Sequence, residues 1–410
     1  MKVSDNVESI FILTSIFPIS TSDKVPSFVL NQVNAFKKNF KSTNIFVIAP
    51  AVNGKTSIKT YDYTELRFRY FLKKYENFSS FGFLPLIKKN NLYILVLPFY
   101  FLSQLFFTYK QAKIHKPNFI YAHWITPQSV TAFLIYKLTK IPFCFSTHAH
   151  DGEIITKVPF LGKFLLNLIV KNSFKFTCDC KNTEKKLKKY VKEKNWDVLK
   201  CLILPMGFEK NLLDTKPKII NSYNHISPFK IAYLGRFAEK KGVENLIKVT
   251  SELLKEQFDV ELIIAGTGLL KSKYAELIET LEIKRNTTII DFFNDYGKFN
   301  YILSLANVVV VPSIITKSGD VEGIPLVALE VMYKEKILIA SNESNLGEII
   351  ESGKHGFIYS SENLSECKEI IKNLIKNKYD KKYIVQNAKK LSIKYEINQV
   401  SKQYFEHLFS

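Results

Sequence analysis

The sequence predicts two α/β domains in succession, each built on a doubly wound parallel sheet. Three observations predict it. The chain has 410 residues, room for two domains of ordinary size. Its composition, 46% apolar and 23% charged, is that of a globular protein. Short apolar runs of strand length alternate with helix-length amphipathic runs from one end to the other, the pattern of repeated βαβ units.

In the first half, FILTSI, NIFVIAP, NFIYA, PFCFST and CLILP read as strands, with PSFVLNQVNAFKKNF and PQSVTAFLIYKLTK as helices between them. In the second half the strands are FKIAYLG, DVELIIAG, TTIID, NVVVVPS and KILIAS, and helices are expected to begin near Gly242, Leu269, Asp295, Ile324 and Asn345. The polar run at 211–229 is the expected boundary between the two series. No internal repeat or long low-complexity segment is visible.

Composition narrows the function classes. Five cysteines, Cys144, Cys178, Cys180, Cys201 and Cys367, form neither an even framework nor a paired C-x-x-C, so a reducing compartment is expected, with neither disulfides nor zinc. Asp5 and Glu8 precede the first apolar run, where a secretory leader carries basic residues. The longest apolar stretch, Leu92 to Thr108, is interrupted by Pro98 and by Ser103-Gln104 and is too short to span a bilayer. It is expected as a core or interfacial segment, with Lys88, Lys89, Lys110 and Lys113 flanking it.

Charge is distributed unevenly. Residues 1–200 hold 30 Lys and Arg against 12 Asp and Glu, whereas residues 201–410 hold 28 against 26. A biased codon usage would enrich Lys in both halves. The asymmetry therefore points to an anionic partner for the first half: phospholipid headgroups, a lipid-linked phosphate or nucleic acid.

In open α/β sheets, ligands sit beyond the carboxyl ends of the strands. After FKIAYL comes GRFAEKKG, with Arg236 and Lys241; after DVELIIA comes the glycine turn Gly266 to Gly268; after NVVVVP comes a loop leading into GDVEGIPLVALE. Two cations, a glycine turn, a helix N-terminus and two carboxylates suit a diphosphate joined to something rich in hydroxyls. Glu330 is the sharpest signal. It stands in the otherwise apolar run from Leu326 to Met332, and burying it costs several kcal/mol unless something hydrogen-bonds it, a group from elsewhere in the chain or a ligand.

These residues resemble glycosyltransferase family 4, retaining enzymes of the GT-B fold. The resemblance rests on GRFAEKKGVENLI, AGTG and EGIPLVALE, whose Glu322 and Glu330 match the family's E-x7-E pair, with LPMGFE, SNLGEIIESGKHGF, FVLNQVNAF and STHAHDGE as further matches. It implies two Rossmann-like domains facing across a cleft: an acceptor domain at 1–210, a nucleotide-sugar domain at 211–394, and a terminal helix at 395–410 packing back on the first. It also implies roles. Glu330 would bind the ribose hydroxyls and Glu322 those of the transferred sugar. The Gly323 and Ile324 N–H groups would lie beside the distal phosphate, with Gly235, Gly266 and Gly268 in the donor site. Arg236 and Lys241 would hold the diphosphate, and His148 would face the donor sugar. No metal is expected and no nucleic acid. The activity implied is retaining transfer to a glycan or lipid-linked acceptor in cell-surface polysaccharide synthesis, of the bacterial or archaeal exopolysaccharide type, by a cytoplasmic enzyme peripheral on the inner face of the membrane. Two departures from the family pattern are Met206, where an Asn is usual, and the loop FPISTSDKVPSF, which lacks a glycine pair. The alternatives are a nucleotide-sugar epimerase of similar fold and a non-catalytic basic protein that binds a membrane surface or nucleic acid.

Overall fold

The computed structural model describes the chain except residues 1–6, 20–26, 57, 58, 61, 82, 84, 85, 88, 89, 149, 150, 218–227 and 292–294. Most of the first loop, Lys88, Lys89, His150 and the centre of the expected boundary run therefore lie outside the described residues. The chain divides into two compact units, Met1–Gly207 with Ile397–Ser410, and Phe208–Glu396.

The first unit holds an eight-stranded sheet: β1 (Ser9–Leu13), β2 (Asn44–Pro50), β3 (Lys59–Thr60), β4 (Thr64–Phe68), β5 (Phe119–His123), β6 (Phe143–Thr147), β7 (Phe176–Cys178) and β8 (Cys201–Ile203). Their order is β3-β4-β2-β1-β5-β6-β7-β8, parallel throughout except for the two-residue edge strand β3. The central strands read as continuous apolar runs because helices cover the sheet, and β1 and β6 are buried along their whole length. The main helices are α1 (Phe28–Asn39), α2 (Tyr93–His115), α3 (Val130–Thr139), α4 (Leu161–Asn172) and α5 (Lys181–Tyr190). The C-terminal helix Ile397–Phe409 packs on α1, where Phe405 stacks on Phe40 with ring centroids 3.7 Å apart.

β4 and the full extent of α2 are among the features of this unit that were not read from the sequence. β4, TELRF, carries a buried Glu65 and a buried Arg67 and so does not look like a core strand. The two side chains pair with each other, and Arg67 also donates to the carbonyls of Pro50, Phe17 and Pro18 at 2.8, 3.0 and 3.0 Å. With its hydrogen bonds made, the buried charge is tolerated. The stretch at 92–108 belongs to one 23-residue helix, α2, that runs through Pro98.

The second unit holds β9 (Phe229–Leu234), β10 (Val260–Gly266), β11 (Thr287–Asp291), β12 (Val308–Val311), β13 (Ile337–Ser341) and β14 (Phe357–Tyr359), all parallel, in the order β11-β10-β9-β12-β13-β14. The sequence reversal falls between β9 and β12. Its helices are α6 (Val243–Lys255), α7 (Lys271–Thr280), α8 (Tyr296–Leu305), α9 (Leu326–Tyr333), α10 (Leu364–Ile375) and α11 (Lys381–Ser392). Asp295 caps α8 by accepting from the Lys298 N–H at 3.1 Å, as its place before the helix suggests. The helix expected near Asn345 is corrected to two 3-10 turns, Asn342–Ser344 and Leu346–Glu348. Asn345 sits between them at φ 56° and donates its side-chain amide to the Glu322 carbonyl at 2.6 Å, so the segment turns instead of propagating.

Candidate active site

The second unit gathers its chemistry at the carboxyl ends of β9 and β12, the switch point of the sheet. The loops after these strands touch closely. The Ile314 N–H donates to the Lys240 carbonyl at 2.9 Å. Gly242, at φ 63°, starts α6 where a Cβ would lie 1.9 Å from the Pro312 carbonyl oxygen. Only glycine fits both the left-handed backbone and that approach. Gly266 is constrained in the same way, since a Cβ there would meet the Gly235 carbonyl at 1.8 Å. The glycines thus bring the loops after β9, β10 and β12 together.

Glu322 is buried at the centre of this cluster. Its carboxylate accepts from Lys241 Nζ at 3.0 Å, with Lys240 Nζ 3.8 Å from the other oxygen. Lys240 also reaches Asp320 and the Val321 carbonyl, each at 3.2 Å. Burial pushes the Glu322 pKa up, but Lys241, Lys240 and Arg236 outweigh it and hold the carboxyl below its usual range. Lys241 moves down too, first by burial and then by the repulsion of Arg236 and Lys240, which Glu322 only partly offsets. Three cations share one buried carboxylate, and the surplus is positive. Arg236 is exposed, and its guanidinium makes no ion pair among the described residues.

Beside this cluster the chain enters α9. The N–H groups of Gly323, Ile324, Leu326 and Val327 donate to no protein acceptor among the described residues. Unpaired N–H groups at the start of a helix favour an anion. Five residues into α9 is Glu330, buried, with no cation against it among the described residues. The Tyr296 hydroxyl at the start of α8 donates to its Oε1 at 3.1 Å. Burial pushes the Glu330 pKa up to about 7, and Tyr296 counters this only in part. Burial and the nearby carboxylate raise the phenol pKa well above its usual value, so Tyr296 remains a donor.

The first unit has its own cluster at the carboxyl ends of β5 and β6. His148 follows β6, half-buried, and its ring stacks parallel to that of the fully buried His123, centroids 5.7 Å apart and planes 9° apart. His148 Nε2 lies 3.5 Å from His123 Nδ1. The rings of Phe28 and Trp124 stand edge-on to His148 at 5.6 Å each. Burial lowers the His148 pKa to about 4, and burial together with the neighbouring His148 ring lowers the His123 pKa well below its usual value, so both rings are neutral near pH 7. Asp151 accepts from the Thr147 hydroxyl and, at 2.9 Å, from the Ile125 N–H. Burial raises its pKa to about 7.

Residues 215–391 match the family described as "Glycosyl transferases group 1". An uncharacterized glycosyltransferase of Methanocaldococcus jannaschii is 27% identical over 68% of this chain and 71% of its own length. An amylovoran biosynthesis glycosyltransferase of Erwinia amylovora is 26% identical over 32% of each chain. The protein is a glycosyltransferase. Among solved structures, sucrose-phosphate synthase from Thermosynechococcus elongatus superposes with a TM-score of 0.70 at 13% identity, covering 97% of each chain. Anabaena HepE in complex with UDP gives 0.66 at 15% identity over 98% of this chain and 99% of that one. The glycosyltransferase thus has the GT-B fold.

Of the residues singled out from sequence, the second unit brings Arg236, Lys241, Glu322, Gly323 and Ile324 together, packs Gly235 against Gly266, and seats Glu330 farther along α9. His148 lies in the first unit. Four participants were missed: Lys240, Tyr296, Asn345 and His123. Lys240 lay inside a quoted match without being singled out, and Tyr296 and His123 carry no motif signal at all. Asn345 lay inside a quoted match, but its bond to the Glu322 carbonyl needs the fold. Met206 is buried and accepts from Gln32 Nε2 at 3.9 Å through its thioether, a packing position within the first unit.

Proposed function

We propose that the enzyme is a retaining glycosyltransferase that moves a sugar from a nucleoside diphosphate to a glycan or lipid-linked acceptor in cell-surface polysaccharide synthesis. The observation that carries the donor assignment is the buried Glu322 set among Lys241, Lys240 and Arg236, beside the unpaired N–H groups that open α9. A diphosphate supplies the negative charge this surplus calls for. On binding it takes Lys241 and Arg236 and frees Glu322 to accept from hydroxyls of the transferred sugar. Glu330, with no cation against it, accepts from the ribose hydroxyls. UDP in HepE and the amylovoran biosynthesis in the name of the Erwinia relative support the same reading.

As the bond from C1 to the phosphate oxygen breaks, charge grows on the leaving diphosphate. Arg236, Lys241 and the helix N-terminus stabilise it there. The acceptor oxygen bonds to C1 on the face the diphosphate leaves, and its proton passes to the departing phosphate. The anomeric configuration is kept. His148, neutral at pH 7, is the first unit's hydrogen-bonding group. Because protein cations neutralise the diphosphate, the reaction proceeds without a metal. We place the enzyme in the cytoplasm, peripheral on the inner face of the membrane.

The test is a panel of nucleotide-sugars with and without acceptor, followed by NMR of the product and by activity in EDTA. An α-linked product from an α-linked donor, formed only with acceptor and unaffected by chelation, is expected. An inverted anomer refutes retention, activity lost to EDTA and restored by Mg²⁺ refutes metal independence, and an epimerised donor without acceptor points to an epimerase.

A further inference from the structure

On α2 the exposed side chains Leu92, Leu95, Phe99, Leu102 and Phe106 recur every three or four residues, which places them on one face of the helix. Leu95 is 65% exposed and Phe106 68%. Lys110 and Lys113 continue the same stripe and are exposed as well. On the opposite face Tyr93, Val96, Tyr100, Gln104, Thr108 and Ala112 are buried against the rest of the unit. From Leu92 to Phe106 the outward stripe is therefore apolar, and Lys110 and Lys113 make its C-terminal end basic. A contiguous apolar patch of this kind marks an interaction site.

A second apolar group lies in the same helical layer, in which α2 packs on α3 and α3 on α4. Phe160, 100% exposed, precedes α4, and Leu161 and Phe164 on its first turn are exposed too. Both groups share one end of the unit. A helix that leads by a short link into a parallel strand runs antiparallel to it, and α2 leads into β5 and α4 into β7 in this way. The N-terminal turns bearing Leu92, Leu95, Phe99, Phe160, Leu161 and Phe164 thus lie toward the carboxyl ends of the strands, the end where ligands of such sheets bind.

Charge identifies the occupant. Between Glu76 and Asp151 the sequence has no Asp or Glu and seven Lys: Lys88, Lys89, Lys110, Lys113, Lys116, Lys137 and Lys140. A second copy of this chain would set that carboxylate-free stretch against itself in a symmetric contact. An anionic lipid surface complements it, with aliphatic and aromatic side chains entering the headgroup boundary and Lys meeting the phosphates. No described helix is long and apolar enough to cross a membrane, so α2 would lie on the surface.

We propose that the outer stripe of α2, together with Phe160 and Phe164 at the start of α4, is the surface by which this enzyme docks on an anionic bilayer, presenting the acceptor-binding end of the first unit to the lipid. This deepens the peripheral placement proposed above. The experiment is co-sedimentation of the full chain with phosphatidylglycerol/phosphatidylcholine vesicles and with phosphatidylcholine alone. Binding to the anionic vesicles only, released by salt, is expected. The pairs Phe99→Gln/Phe106→Gln and Phe160→Ser/Phe164→Ser, at exposed positions that leave folding intact, should each weaken binding about tenfold or more, since both groups enter the boundary together. Unchanged binding in either pair, or no binding to anionic vesicles, overturns the proposal. So does a wild-type dimer that the α2 pair converts to monomer with no change on vesicles. Thermal stabilisation by nucleotide-sugar, followed in the same samples, keeps a failure of docking distinct from a failure of the donor assignment.

Discussion

Replacing Glu330 by Gln should stabilise the donor-binding unit at alkaline pH while impairing donor binding. The Glu330 carboxyl titrates near 7 in the folded chain against an ordinary 4.5, because burial disfavours its charged form. Below pH 4.5 the carboxyl is neutral in folded and unfolded chains alike, and its burial carries no charge penalty. Between 4.5 and 7 the unfolded chain gives up its proton first, so the wild type loses stability as pH rises. Above about 7 the loss is complete. A difference of about 2.5 units at 1.36 kcal/mol each amounts to about 3 kcal/mol. A Gln side chain keeps an oxygen to accept from Tyr296 and never ionises. Its advantage over Glu should be under about 1 kcal/mol at pH 5 and about 3 kcal/mol at pH 8, or roughly 6–12 °C in Tm for a unit of this size. Both tryptophans, Trp124 and Trp196, lie in the other unit. Hydrogen exchange of the α8 and α9 peptides is therefore the assay, read at the two pH values with and without nucleotide-sugar. If the ribose hydroxyls donate only to the ionised carboxylate, wild-type donor affinity should be about tenfold weaker at pH 6 than at pH 8. An equal offset between Gln and Glu at both pH values, or a Gln variant that binds donor as tightly as the wild type, refutes the reasoning.

Three further outcomes are expected. Arg236→Ala and Lys241→Ala should each lower kcat/KM by roughly 10²- to 10³-fold, and because Arg236 is exposed its loss should leave Tm unchanged; unaltered kinetics in Arg236→Ala would place the diphosphate elsewhere. Gly266→Ala should destabilise the second unit by more than about 2 kcal/mol, since its Cβ would meet the Gly235 carbonyl at 1.8 Å, whereas Gly347→Ala, with nothing within 4 Å, is the control that should be silent. ¹⁵N NMR should find the His148 ring neutral from pH 8 down to about 5, consistent with a pKa lowered to about 4 by burial; a transition between pH 6 and 7 would contradict the aromatic enclosure by Phe28, Trp124 and His123.

Much of the fold was legible because parallel sheets covered by helices are written in continuous apolar runs such as Val308–Val311. β4 escaped because its Glu65 and Arg67 neutralise each other only once folded, and β7 and β14, three residues each, also went unread. Asn345 and Gly347 sit in a run that patterns as a helix, yet the left-handed turn at Asn345 is fixed by a contact with Glu322 that no local pattern announces. The site follows the same division. Glu322, Glu330 and the glycines stood out because each violates a local rule, a carboxylate in an apolar helix or a loop that tolerates no Cβ. Tyr296 and His123 violate nothing in the sequence. They become visible only as the hydroxyl against Glu330 and the ring against His148.

The two carboxylates of the second unit are held in opposite electrostatic states, and the contrast orients a ligand. Three cations face Glu322, leaving an excess of positive charge that the unpaired N–H groups of α9 extend. Glu330 faces none, and its neutral form competes with its ionised form near pH 7. An anion is therefore attracted to the first position. At the second it is repelled by the carboxylate or meets no donor but Tyr296, whereas a hydroxyl pair can donate and favour the ionised form. At 1.5 Å per residue, Glu330 lies about 6 Å along the axis from Leu326, the residue that starts α9. Under the donor assignment proposed above, a sugar joined through a diphosphate and one methylene to a ribose would present its groups in that order: hydroxyls near Glu322, phosphates at the helix start, a vicinal diol toward Glu330. Reversal of the ligand would bring phosphate to the uncompensated carboxylate, which is the arrangement the site's own charges disfavour most.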